Sequence, residues 1–137
     1  MEIEFPIEFL VEGTPVSLGA KRPSTKEAWK QRVRVASLAS LPQPHFASGG
    51  RMSVTIYCFP ERPLQGDVDN IVKLILDALC CHVYKDDQQV ERIVVQKFDP
   101  GNIFPFSAPS PTLFRAMEAR MPVVYIRLSN DPFEDLK

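Results

Sequence analysis

Asp67 and Asp69 lie two residues apart in Asp67-Val68-Asp69-Asn70, just ahead of an apolar helix-like run over residues 71–81, and a second acidic pair, Asp86-Asp87, follows that run. In an extended segment, acids at this spacing point to one side, roughly 6.5–7 Å apart along the strand, so their tips can converge on one cation. Carboxylates held this close repel unless a positive charge neutralises them. Mg²⁺, with Mn²⁺ as a substitute, suits such a cluster: it takes oxygen ligands, keeps several waters and is usually held by one or two carboxylates plus substrate phosphate. The chemistry this implies is phosphate chemistry.

Asp69 and Lys73 are spaced as an ordinary i,i+4 surface pair, worth about 0.2–0.5 kcal/mol, and Asp67 or Asp69 is placed to cap a helix. Neither accounts for a second acidic pair after the same helix. A calcium loop is excluded, because Ile71 and Val72 stand where an oxygen ligand and a turn glycine are required. His45 and His82 lie outside the cluster and read as structural or solvated. Cys58, Cys80 and Cys81 lack CxxC spacing, and the adjacent pair, taken as part of the apolar helix, reads as packing.

The elements around the acids are legible as an α+β chain. Residues 3–11 form an apolar strand ended by Glu12-Gly13-Thr14-Pro15. A helix capped by Ser24 or Thr25, with Glu27 in its first turn, is expected to run to Ser40, where Pro42 and Pro44 stop it. Met52, Val54, Ile56 and Cys58 alternate with Ser53, Thr55 and Tyr57, the period of a half-buried strand. In the helix after the acidic motif, Asp69, Lys73 and Asp77 recur every four residues and make one polar stripe on an otherwise apolar cylinder. Residues 91–98 and 123–128 read as two further strands. Between them lies a Pro- and Phe-rich insertion, 99–120, in which residues 113–120 form a short helix, and residues 131–137 read as a loose acidic tail.

The expected architecture is one two-layer domain, 1–137, with about four strands in a mixed sheet against two or three helices. At 137 residues and 45% hydrophobic, the chain has enough material for one core. No stretch reaches the roughly 18 apolar residues of a membrane span, and Met1-Glu2-Ile3-Glu4 lacks the basic start of a signal peptide, so a cytoplasmic protein without a membrane partner is expected. A net charge of −1 argues against simple basic nucleic-acid binding. The distribution softens this, because Lys21, Arg22, Lys26, Lys30, Arg32 and Arg34 face a single nearby acid, Glu27, a local surplus of five. That run is either a phosphate-binding patch or a solvated helix face. Trp29 within it sits at a position more often core than a base-stacking platform.

The pattern Asp67-x-Asp69-Asn70-x-x-Lys73, then Asp77-Ala78-Leu79, then Asp86-Asp87-x-x-Val90 resembles the RusA family of Holliday-junction resolvases. The likeness is specific over roughly residues 52–98 and holds only in layout before them. It implies a small homodimeric endonuclease that uses Mg²⁺, and no organic cofactor, to cut DNA four-way junctions by paired symmetric nicks in recombination and repair. Residue by residue, the family's catalytic, metal-binding aspartates fall on Asp67, Asp69 and Asp87, and its essential lysine on Lys73. The segment between Leu79 and Asp86 is one residue shorter than in the family's best-known form, which leaves Asp86 as the alternative to Asp87.

With that resemblance, Lys21, Arg22, Lys26, Lys30 and Arg34 are assigned to the DNA backbone, a contact that positions without reading sequence. Residues 61–66 are less basic than the run often found before the motif, which prompts one alternative, a nuclease for forks or flaps; another is a non-catalytic junction-binding dimer that retains the acidic residues as structure. Whether one ion or two is used is left open.

Overall fold

The computed structural model describes residues 1–101, 104–120 and 122–137. Strand β1 (Ile7–Glu12) starts later than its apolar composition suggests. Pro6 has no amide hydrogen to give to a ladder, and pairing with the last strand begins at Ile7. Helix α1 (Pro23–Ser37) begins at a proline, with Arg22 as an extended cap residue and no side-chain cap. The expected caps, Ser24 and Thr25, therefore lie inside the helix. Proline's fixed φ suits the first helical position and drives the residue before it into the extended region, so Pro23 sets the boundary. A 3-10 turn, Leu38–Ser40, completes the run towards Pro42.

Strand β2 (Met52–Phe59), helix α2 (Val72–Leu79), strand β3 (Val90–Lys97), helix α3 (Pro111–Glu118) and strand β4 (Val123–Ser129) follow. The four strands form one mixed sheet in the order β1-β4-β2-β3. β4 is antiparallel to both neighbours, while β2 and β3 are parallel. Parallel partners need a crossover, and α2 supplies it.

The period-2 pattern divides the sheet's side chains. Ile7, Phe9, Val11, Val54, Ile56, Cys58, Val124, Ile126 and Leu128 join Trp29 and Val33 of α1 and Leu74, Ile75 and Leu79 of α2 in the main core. Alone, α2 is too short to be stable in water. Five of its residues are buried, each large one stabilising by roughly 1.5–3 kcal/mol, and this packing holds it.

The opposite face is covered as well. Phe59, Val123 and Tyr125 pack with Leu113 and Ala116 of α3, and Tyr57, Phe98 and Phe106 extend that cluster. The two-layer expectation is thus corrected: the Pro- and Phe-rich segment supplies a partial third layer, because β2 and β4 carry aromatic residues on the face away from α1 and α2. Ile103, within that segment, lies outside the described residues.

Ion pairs run through residues 131–137. Arg127 pairs with Glu134, Arg92 with Asp135 at 2.6 Å and Lys137 with Asp131 at 2.7 Å. Glu134 and Asp135 meet arginines on β4 and β3, while Asp131 meets Lys137 within the tail itself. Among the described residues no helix is long and apolar enough to cross a membrane.

Candidate active site

The route from β2 to α2 passes Pro60 and Pro63 and turns at Gly66, whose φ of 80° is the left-handed region that glycine enters freely. Asp67 is extended, but Val68–Ile71 form a 3-10 turn that runs into α2. This corrects the picture of two acids side by side on an extended segment. Asp67 precedes the 3-10 turn and Asp69 lies within it, so the strand rule that puts positions two apart on one side does not hold across them. Both aspartates are exposed. Among the described residues, neither carboxylate is engaged: Asp67 makes no capping bond, and neither acid belongs to a salt bridge.

Lys73 stands at the centre of the charged surface. Its Nζ lies 2.7 Å from Asp77 Oδ1 and 3.1 Å from Asp87 Oδ2. Its bonds to Asp77 and then to Asp87 raise its pKa above the ordinary lysine value, so it remains cationic at neutral pH. The single Tyr84 hydroxyl proton is shared between two acceptors, Leu76 O at 3.0 Å and the other oxygen of Asp87 at 3.3 Å. Burial, reinforced by Asp87, pushes the Tyr84 phenol well above its usual range and keeps it a donor.

Asp86 does different work. It caps the 3-10 turn Asp87–Gln89, accepting from Gln88 N at 3.2 Å, while Gln89 Oε1 accepts from the Asp86 and Lys85 amides at 2.8 Å. Gln89 Nε2 donates to Ser48 O and Gly50 O. One acid of the pair is therefore committed to holding the turn, and the other faces Lys73. The Asp-x-x-Gln signature of this capping box was readable in the sequence. Tyr84 carried no such signal, because its role depends on the fold of the turn.

The basic segment is tied to the acidic motif through its approach loop: Leu18 N donates to Asn70 O at 2.8 Å. Within the segment, Lys30 pairs with Glu27 at 2.6 Å, Arg32 donates to Glu12 O at 3.0 Å, and Arg34 Nε donates to Ala78 O at 3.1 Å. Ala78 O is one of the open carbonyls at the C-terminus of α2, where a cation is favoured. Lys21, Arg22 and Lys26 have no ion-pair partner among the described residues. Trp29 is core, 3% exposed. The histidines are structural neighbours rather than site groups: His82 Nε2 meets Ser37 Oγ at 2.8 Å and His45 Nε2 meets His82 O at 2.9 Å. Burial, with His45 and Arg34 nearby, depresses the His82 pKa.

By donor type, Asp67, Asp69 and Asp87 fit a hard divalent ion. Among the described residues, however, no three His, Cys, Asp or Glu side chains are gathered closely enough to hold one. What stands assembled is Asp87 with Lys73 and Tyr84. The carboxylates of Asp67 and Asp69 are exposed and have no ion-pair partner among the described residues, so closing on an ion breaks no such pair.

A family profile described as Endodeoxyribonuclease RusA matches residues 16–103, well over half of the chain. The matched stretch holds the basic segment, β2, the acidic motif, α2, the Asp86-Asp87 turn and β3. No curated protein matches the chain.

Proposed function

Because the chain belongs to the RusA endodeoxyribonuclease family, we propose that it is a divalent-metal-dependent nuclease that resolves DNA four-way junctions by paired symmetric nicks. The observation that carries this reading is the meeting of Lys73, on α2, with Asp87, from the turn beyond that helix, one helical turn past Asp69.

Asp67, Asp69 and Asp87 are the residues that would hold Mg²⁺ or Mn²⁺. When bound, the ion supplies Lewis-acid polarisation of the phosphoryl group. The remaining work belongs to the chain. Hydrolysis of a phosphodiester builds negative charge on an already anionic centre, and a fixed ammonium beside it stabilises that charge. Lys73 suits this role and not proton transfer, since its neighbours hold its proton more firmly than usual. Asp77 retains the ammonium when Asp87 turns towards an ion. The Tyr84 hydroxyl orients Asp87 and leaves one carboxylate oxygen for coordination.

Lys21, Arg22 and Lys26 are the basic residues best placed for phosphate contacts, because Lys30 and Arg34 are partnered within the fold. A two-fold homodimer would present two identical sites to a junction of roughly matching symmetry and allow both nicks.

Incubation with a synthetic four-way junction and Mg²⁺ is expected to give symmetric nicks that disappear in Asp69→Asn. Equal cleavage by that variant overturns the assignment. A second reading, junction binding without cleavage, draws on the dispersed carboxylates. Tight junction binding with no nicking at any Mg²⁺ or Mn²⁺ concentration selects it. A preference for forks or flaps in competition with the junction changes the substrate but keeps the chemistry.

A further inference from the structure

Cys80 and Cys81 are neighbours in sequence at the end of α2, and the fold treats them as more than packing. α2 stops at Leu79, so neither thiol is on the helix. Cys80 is extended, and Cys81 has φ 66°, a left-handed conformation uncommon for a residue with a side chain. This places both sulfurs on one side. They lie 3.8 Å apart, and each contacts Lys85 O, at 3.8 and 3.6 Å. Cys81 is exposed and Cys80 half-buried, whereas Cys58 is buried in the core.

The same turn carries Asp87. Cys81 N donates to Tyr84 O at 2.6 Å, and Cys80 bridges to Tyr84. The Tyr84 hydroxyl in turn holds Asp87. We propose that Cys80 and Cys81 form a modification site, a dithiol that reacts with low-molecular-weight disulfides and closes to a vicinal disulfide, and that closure displaces Tyr84 and with it Asp87. The effect on catalysis, though not the closure itself, rests on the nuclease reading.

The exchange balances without a further reagent. The thiolate of exposed Cys81 attacks one sulfur of the small disulfide, whose S–S bond breaks to release one thiolate. Cys80 then gives its proton to solvent and attacks Cys81 Sγ, and the second small thiolate leaves. Two protein thiols are oxidised and one small disulfide is reduced to two thiols. Closure needs a bond of about 2.05 Å, so the sulfurs must approach and the backbone between them must turn. That turn acts directly on the Cys81 N–H that meets Tyr84.

The test treats the intact protein with oxidised glutathione, alkylates it under denaturing conditions and maps the peptides by mass. The peptide carrying 80–81 is expected to be unalkylated and lighter by two hydrogens, with Cys58 alkylated. Amide exchange over residues 80–89 should accelerate, and junction cleavage should fall several-fold and recover with dithiothreitol. Cys81→Ser should be indifferent to the oxidant in both readouts. Alkylation of both cysteines, or glutathione remaining on Cys81 without closure, overturns the site. A closed ring with unchanged exchange over 80–89 overturns the coupling. Ring closure with faster exchange in a protein that never cleaves junctions supports the proposal and removes the nuclease reading alone.

Discussion

The Lys73 ammonium lies 3.1 Å from Oδ2 of Asp87, fourteen positions further along the chain. An i,i+4 partner, Asp77, would be enough to satisfy a surface lysine. The second carboxylate comes from beyond the helix, brought back by the turn that Asp86 and Gln89 lock. Exposed ion pairs contribute little to stability, roughly 0–1 kcal/mol, so stability is a weak reason for this arrangement.

Removing the lysine therefore separates catalysis from folding and binding. Lys73→Ala is expected to reduce the single-turnover nicking rate by about 10²–10³-fold, the scale of losing one preorganised charge at a transition state. Junction affinity, measured without metal, should change by less than a few-fold. A proportionate loss of rate and affinity contradicts the role assigned to Lys73.

The two adjacent aspartates should behave oppositely. Asp86→Asn keeps a side-chain acceptor for the Gln88 amide and should cleave like the parent, whereas Asp86→Ala should lose about 0.5–2 kcal/mol of stability as the cap disappears. Asp87→Asn should keep its stability and lose cleavage. Denaturant melts and nicking assays on the three variants decide the matter, and an active Asp87→Asn would contradict the assignment.

Much of this was legible in the chain. Alternation in Met52–Phe59 marked β2, and the Asp69, Lys73, Asp77 stripe marked the polar side of the helix. The Asp67-to-Asp87 pattern suggested the family that the profile match supports. Features set by how the chain packs back on itself were not legible. The tail acids are fastened by Arg92 and Arg127, and α3 finds the face of the sheet that Tyr57, Phe59 and Tyr125 make aromatic. Asp87 is oriented by a tyrosine whose hydroxyl is positioned only once α2 and its turn have packed. The 3-10 geometry of Val68–Ile71 was missed for a local reason, since composition does not separate a 3-10 turn from the first turn of an α-helix.

The basic segment divides by the same logic. Lys26→Ala should weaken junction binding and reduce the salt slope of log K by about one, with the melting temperature unchanged. Arg34→Ala should lower the melting temperature instead, because it removes a charged donor from the Ala78 carbonyl, a bond worth about 1.5–3 kcal/mol. Binding measured across a salt series, together with thermal melts, reads both effects. A salt slope that falls for Arg34→Ala without any change in melting would place that arginine on DNA.

Calorimetric titration of Mn²⁺ into the parent protein, Asp69→Asn and Asp87→Asn reads the shared ion itself. If carboxylates from the two segments share one ion, the parent binds and either single substitution sharply weakens binding. Binding that is absent in the parent, or that survives unchanged in both variants, would contradict the account.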